Sequence, residues 1–130
     1  MSRLIKIWGG ETTYKPVAAN AVIEAGDKLC GNANGYLVPA ANVSAYNFAG
    51  IAGNSVDNTG GANGALSVIV IRKCRFEDDC DASITQANCW GNAYVLDALT
   101  SCAVGDVKIG QIVNVDLVNM KIEIDSAVMA

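Results

Sequence analysis

Hydrophobic positions along the chain fall into short runs that are separated by turn residues. From Ala21 onward, glycine, asparagine and aspartate recur about every 8–12 residues, which is the spacing typical of β-sandwiches and β-barrels. No amphipathic period of helical spacing extends beyond about two turns. The pattern therefore predicts an all-β fold, either a compact β-sandwich or a small β-barrel.

Several strands can be placed individually. Residues 28–30 and 36–38 flank the turn Gly31–Gly35 and predict a hairpin. Residues 66–76 predict one strand, since 68–71 is a β-branched run typical of a strand that is buried on both faces or covered by a partner. The strict alternation of 121–125 predicts a half-buried final strand. Further strands are predicted at 48–52, 93–96 and 107–115, and one helical turn at 83–88.

The acidic segment 77–81 is predicted to be a solvated loop that ends the 66–76 strand. Its four carboxylates, Glu77, Asp78, Asp79 and Asp81, give a hard-cation site as the alternative. Calcium loops place ligands at alternate positions and include a glycine for the sharp turn, whereas this segment does neither. The charged turn is the favoured interpretation, because charge at a strand end opposes edge-to-edge pairing.

Residues 1–20 differ from the rest and predict an extended arm that leaves a domain formed by residues 21–130. The arm carries the apolar residues Leu4, Ile5, Ile7 and Trp8, followed by a Gly9–Gly10 hinge. We expect Trp8 to be its main anchor on a neighbouring subunit, with Arg3 and Lys6 meeting acidic groups. The alternative is an edge strand packed on the chain's own core.

Composition narrows the classes of partner. The chain has 130 residues, is 52% hydrophobic and only 17% charged, which favours apolar surface covered by other subunits over a monomer with a core rich in alanine and glycine. The net charge of −4 comes without a basic cluster, so no nucleic-acid partner is expected. No apolar run reaches the roughly 20 residues of a membrane span, and no signal peptide is evident. Synthesis and retention in a cytoplasm are expected.

Catalytic and metal-binding signatures are not found in the sequence. There is no histidine, no phosphate-binding loop and no nucleophile elbow, so we expect no enzyme and no cofactor. The five cysteines lack close pairs and are predicted to be reduced, mostly buried thiols with no metal, with disulfides or a metal site as the alternative. The glycine-rich segment 54–64 is predicted to be a mobile or partner-facing loop. Trp90 and Tyr94 are candidate subunit-interface residues, with a core position as the alternative for Trp90.

A series of short segments occurs in order along the chain: AGD at 25–27, GYLVPA at 35–40, FAGIA at 48–52, VDN at 56–58, LSV at 66–68, ITQA at 84–87, NAYVLD at 92–97 and VKIGQIV at 107–113. Together they resemble the small capsid decoration (cement) proteins of tailed bacteriophages, a β-rich group sometimes labelled recombinase-like. The resemblance covers roughly residues 17 to 125. Each is generic by itself, so the order and spacing carry the resemblance. Cys89-Trp90 and the cysteines depart from the commoner pattern.

The resemblance implies a protein on the outer surface of the virion that binds the major capsid protein and stabilises contacts between capsid subunits. It also implies self-association, with a trimer favoured over a dimer because cement proteins tend to match the local symmetry of the lattice. The alternative function is a carbohydrate-binding or receptor-binding β-module of a phage fibre. A small glycosidase or lysin is disfavoured, because the acidic residues cluster in sequence instead of forming a separated pair.

Overall fold

The chain folds almost entirely into β-strands, which confirms the all-β prediction. The structure is a computed structural model that describes residues 5–128. The strands of the described residues are β1 Ile7–Trp8, β2 Glu11–Pro16, β3 Val22–Ile23, β4 Lys28–Gly31, β5 Leu37–Pro39, β6 Asn47–Ala52, β7 Val56–Asp57, β8 Ser67–Arg72, β9 Arg75–Cys80, β10 Asn92–Val95, β11 Thr100–Cys102, β12 Lys108–Asp116 and β13 Lys121–Asp125. A single 3-10 turn, Gln86–Asn88, falls within the predicted helical segment.

The C-terminal strands close into a small barrel. The order is β9-β11-β10-β12-β13, and β13 pairs back with β9 over Lys121 to Asp125, which completes the ring. Strand β1 lies outside the ring as an extra edge strand on β9. Isoleucine, valine and Phe76 side chains fill the interior, because alternate positions of each strand point inward.

A second sheet packs over the barrel core. Its order is β2-β8-β6-β4-β5, and one face contributes Cys30 and Ile51 to the same cluster as the barrel interior. The opposite face covers a second core built from Val17, Leu29, Val68 and other small apolar residues. An isolated bridge between Val17 and Leu37 links the end of β2 to β5. Each face of this sheet is therefore buried over its central strands, as expected for the β-branched run of β8.

The predicted single strand 66–76 is wrong, because the chain passes there from one sheet to the other. Strand β8 belongs to the five-stranded sheet and β9 to the barrel. Lys73 lies between them at φ 53°, a left-handed conformation that ends the first strand. The backbone at Gly10 passes close to this point. A Cβ on Gly10 would lie 2.9 Å from the Arg72 carbonyl oxygen and from the Cys74 Cβ. Only glycine fits this close approach of two backbones.

The predicted acidic loop is also wrong over most of its length, because residues 75–80 form β9. Phe76, Asp78 and Cys80 are buried on the barrel side, while Arg75 and Asp79 are exposed. This alternation gives one carboxylate, Asp78, a place in the core. Sequence reasoning treated the charges as a single group and missed the period of two.

The predicted arm is replaced, over the described residues 5–20, by the edge-strand alternative. Strand β2 pairs with β8 along its whole length, from Glu11 opposite Arg72 to Pro16 opposite Ser67. Val17 is fully buried in the second core. Glycines 9 and 10 therefore connect two edge strands of the same chain. Arg3 and Leu4, which were predicted arm contacts, lie outside the described residues.

The remaining strand predictions are confirmed. Strands β4 and β5 form the predicted hairpin, with Gly31 opposite Leu37 and a turn closed by the Gly35 N–H and the Asn32 carbonyl. Strand β13 is half-buried with strict alternation. The predicted strands at 48–52, 93–96 and 107–115 correspond to β6, β10 and β12.

Candidate functional site

Trp90 is displayed on the surface by a tightly held turn. Its side chain is 64% exposed, and its φ is 75°, which a bulky residue rarely adopts. The Trp90 N–H donates to the Ile112 carbonyl at 2.7 Å, and the Trp90 carbonyl accepts from Gln111 Nε2 at 3.0 Å. The Ile112 N–H donates to the Gly91 carbonyl at 2.8 Å. Strand β12 thus fixes the backbone on both sides of the tryptophan.

This geometry makes Trp90 the leading candidate for partner contact. A left-handed conformation at a residue other than glycine costs about 1–3 kcal/mol, and such strain concentrates at functional positions. The core alternative for Trp90 is wrong, since most of its ring is exposed. An aromatic residue on a fixed backbone has less conformational freedom to lose on binding than one on a mobile loop, which suits an interface anchor.

Tyr94, the other candidate interface residue, has a different environment. It lies half-buried in the middle of β10, between Cys102 of β11 and Lys108 of β12. A Cβ on Gly105 would lie 3.1 Å from the Tyr94 Cβ, so the chain folds closely over this residue. The described contacts do not bring Tyr94 and Trp90 together. Tyr94 is accordingly a weaker candidate for an interface than Trp90.

The described residues of the predicted arm contact their own barrel. Ile5 and Ile7 are half-buried against its core, and the Lys6 carbonyl accepts a hydrogen bond from the Glu77 N–H at 3.0 Å. The Trp8 ring, 39% exposed, lies under the Arg75 guanidinium at 4.8 Å, a cation–π contact. The Trp8 ring therefore already has a contact partner within its own chain. Lys6 is exposed.

Sequence reasoning missed a buried charged cluster between the barrel and the second sheet. Lys28 Nζ lies 2.7 Å from Asp78 Oδ2, and both side chains are fully buried. The Ser101 hydroxyl, also fully buried, donates to the same oxygen at 2.6 Å. The Lys28 backbone adds to the link, since its N–H donates to the Ala98 carbonyl at 2.9 Å. The only sequence signal was the alternation of Phe76, Asp78 and Cys80.

The glycine-rich segment 54–64 is held to the domain at several points. Val56–Asp57 forms β7, which pairs with β3. Asn58 is buried, and its Nδ2 donates to the Ala18 carbonyl at 2.9 Å and to the Ala62 carbonyl at 3.1 Å. The expectation of a mobile loop is therefore wrong for residues 56–58.

No group of three or more cysteine, aspartate or glutamate side chains within residues 5–128 is arranged to hold a metal ion. Two of the open surface depressions have volumes of about 380 and 320 Å³. The first has Asp106 as its one acidic lining residue, and the second is lined by Lys15, Arg72, asparagines and apolar residues. Neither depression contains the separated pair of carboxylates that glycoside hydrolysis uses.

Four of the five cysteines are buried, as predicted, and Cys89 is half-buried. Burial raises the pKa of Cys30 to about 11, and it also raises the pKa of Cys74, Cys80 and Cys102. Because the pKa is higher in the folded state, there is a pH range in which the thiol stays protonated in the folded protein but ionises in the unfolded chain. The contribution of Cys30 to stability is thus complete below about pH 9 and is lost as the pH rises toward 11.

We expect Cys89, the half-buried cysteine, to be the fastest thiol to react in the native protein. The other four are buried and held as protonated thiols, which are poor nucleophiles. Titration with a chromogenic disulfide reagent at pH 8 without reductant should show one fast group, and all five in denaturant. Cys89→Ser should remove the fast phase alone. Fewer than five groups in denaturant would indicate disulfides and contradict the assignment.

Comparisons with known proteins gave no relatives. No protein-family model, no curated protein and no solved structure matches this chain. Within the described residues, none of the helical structure is long and apolar enough to cross a membrane.

Proposed function

We propose that this protein is a non-enzymatic capsid decoration protein of a tailed bacteriophage, which binds the outer surface of the head and stabilises contacts between major capsid subunits. The ordered series of segments between residues 25 and 113 supports this proposal, because their order and spacing resemble that group. In this proposal the chain is made in the host cytoplasm and then resides on the virion. It needs no cofactor, metal or nucleic acid.

The observation that carries the proposal is the exposure of Trp90 on a backbone turn that is held by hydrogen bonds. A cement protein performs no chemistry and must offer a preformed anchor to a fixed lattice. Trp90 is 64% exposed, and its backbone accepts a hydrogen bond from the Gln111 side chain and donates one to the Ile112 carbonyl. Interface energy concentrates in a few such aromatic residues, whose truncation costs about 2–4 kcal/mol.

A small β-domain that only binds is sufficient for this function. A protein that binds only the assembled head stabilises the head by mass action, in proportion to occupancy. Self-association increases the effect, since one docked subunit raises the local concentration of the next. The low charged fraction of 17% fits a surface of which part is covered by neighbours.

The test is whether purified virions contain this protein in a fixed ratio to the major capsid protein, and whether that occupancy depends on Trp90. We expect Trp90→Ala to weaken binding to undecorated heads by about 2–4 kcal/mol, because the anchor is lost and the fold is not. Quantitative sedimentation of heads with increasing protein measures the affinity.

The matched control is Trp8→Ala, the same truncation at a tryptophan whose ring contacts Arg75 of its own chain. It should leave the affinity for heads nearly unchanged. Absence of the protein from purified virions would refute the proposal. Equal losses for the two variants would refute the role of Trp90.

A second candidate is a carbohydrate-binding or receptor-binding module of a phage fibre. One observation favours it. The exposed Trp90 ring lies on a turn whose Trp90 carbonyl accepts a hydrogen bond from the Gln111 side-chain amide. Sugars are commonly bound by an aromatic face beside polar groups. Binding to host surface polysaccharide on a glycan array, lost in Trp90→Ala, together with absence from isolated heads, would favour this candidate.

A further inference from the structure

Strand β2 leaves one edge of the five-stranded sheet open. It stands first in the order β2-β8-β6-β4-β5, so its only strand partner within residues 5–128 is β8. All of its residues are exposed except the half-buried Thr13, and Tyr14 is 68% exposed. An open edge of this length is a template for pairing with another strand.

The hydrogen bonds at the end of β2 define which backbone groups face outward. The Val17 N–H donates to the Leu66 carbonyl, on the β8 side, whereas the Ala18 N–H donates away from β8 to the Leu37 carbonyl. Backbone direction alternates along an antiparallel pair. The N–H and C=O groups of Thr12 and Tyr14 therefore point outward, and those of Glu11, Thr13 and Lys15 point toward β8.

The charges on β2 are complementary to a second copy of the same strand. Glu11 and Lys15 lie at equal distances on either side of Thr13. In an antiparallel pair centred on Thr13, Glu11 of each copy is opposite Lys15 of the other. Paired residues share a face of the sheet, and the pairs whose backbone groups point away from each other bring their side chains closest. Both ion pairs fall at such positions.

We propose that two copies of this chain associate through β2, antiparallel and around a two-fold axis at Thr13, into one continuous sheet. Thr12 and Tyr14 of each copy exchange backbone hydrogen bonds with Tyr14 and Thr12 of the other. The interface is isologous, because the same patch is used by both copies, and it closes at two subunits. This inference is independent of the proposed function, and it selects the dimer over the trimer that the resemblance implied.

Pro16 is compatible with this arrangement. A proline has no N–H to donate, so it limits pairing where it stands. Pro16 lies at the end of β2, where the neighbouring Val17 already bridges Leu37 of the same chain. The pairing register is thus confined to residues 11–15. Within that stretch a shift of one position would place Glu11 opposite an uncharged residue.

Charge exchange provides the test. By sedimentation velocity in low salt, the full-length protein should be a dimer that dissociates on dilution. Lys15→Glu should weaken dimer affinity at least about ten-fold, because like charges then face each other at two positions of the interface. Glu11→Lys should act the same way. Mixing the Lys15→Glu and Glu11→Lys proteins should restore a dimer, because every facing pair is again of opposite sign.

Two further variants make the result specific to this edge. Tyr14→Pro removes an outward N–H without removing a bond to β8, and it should give a monomer that remains folded by circular dichroism. Lys108→Glu makes the same charge change at an exposed position of β12 and should leave the dimer intact. A monomer at about 100 µM, a trimer, or a dimer unaffected by Lys15→Glu would overturn the proposal. Failure of the mixed variants to associate would overturn the register.

Discussion

Replacing Lys28 with methionine is expected to lower the free energy of unfolding by about 3–5 kcal/mol, because Asp78 would be left buried without its partner. Nζ and Oδ2 lie 2.7 Å apart, and neither side chain reaches solvent. Lys28 belongs to the five-stranded sheet and Asp78 to the barrel. The pair therefore links the two sheets.

A double-mutant cycle measures this interaction. Asp78→Leu alone should cost about as much as Lys28→Met, while the double variant should cost much less than the sum, since paired removal leaves no uncompensated charge. Urea unfolding followed by circular dichroism gives the four free energies. Ser101 is the third member of the cluster, and Ser101→Ala should add a smaller loss of about 1 kcal/mol.

The chain contains a matched control for this cycle. Lys121 and Asp79 form an ion pair between neighbouring strands of the same barrel, but both side chains are about half exposed. Lys121→Met and Asp79→Leu should each cost less than about 1 kcal/mol, because solvent screens such pairs. If Lys28→Met proved no more destabilising than Lys121→Met, burial of the inner pair would have no energetic consequence and the interpretation would fail.

Deletion of residues 1–10 is expected to destabilise the barrel by about 3–5 kcal/mol without abolishing the all-β fold. The deletion removes β1 and the preceding Ile5, and both Ile5 and Ile7 are half-buried against the barrel core. Partial burial of two such side chains contributes roughly 1–2 kcal/mol each. The backbone bonds to β9, including the one from the Glu77 N–H to the Lys6 carbonyl, contribute about 1 kcal/mol each.

Two shorter changes locate this effect. Deleting residues 1–4 retains β1, whereas Ile7→Ala removes only one packed side chain of β1. Urea unfolding of the two variants therefore distinguishes the contribution of β1 to the free energy of unfolding from that of the residues before it. Trp8→Ala should cost about 0.5–1 kcal/mol, the value of its cation–π contact with Arg75. An unchanged unfolding midpoint after deletion of 1–10 would restore the interpretation of this segment as an arm for a neighbouring subunit.

The sequence identified only part of the candidate site. Trp90 could be identified as a candidate from its residue type, but its exposure and its positive φ depend on hydrogen bonds to β12, more than twenty positions away in sequence. Tyr94 carried a similar signal and is half-buried, because β11 and β12 flank it. Asp78 was considered only as one of the four carboxylates in the acidic segment 77–81. Its role depends on Lys28, fifty positions earlier in the chain.

Local chemistry by itself determined the fold class, most of the strands and the β4–β5 hairpin. Turn residues at short intervals and β-branched runs act through neighbours in sequence, so the sequence is enough to predict them. The strict alternation of 121–125 was likewise sufficient for β13. The burial of most cysteines also followed from residue type.

Only the tertiary structure decided where each strand went. The run 66–76 looks continuous in sequence, yet Lys73 and the close approach of Gly10 divide it between two sheets. The segment 5–20 has no period of its own, and it became two edge strands because β8 and β9 offered free backbone partners. Pairing of this kind joins residues some sixty positions apart. Its free energy depends on contacts that exist only after the chain has folded, which is why the sequence pattern could not predict it.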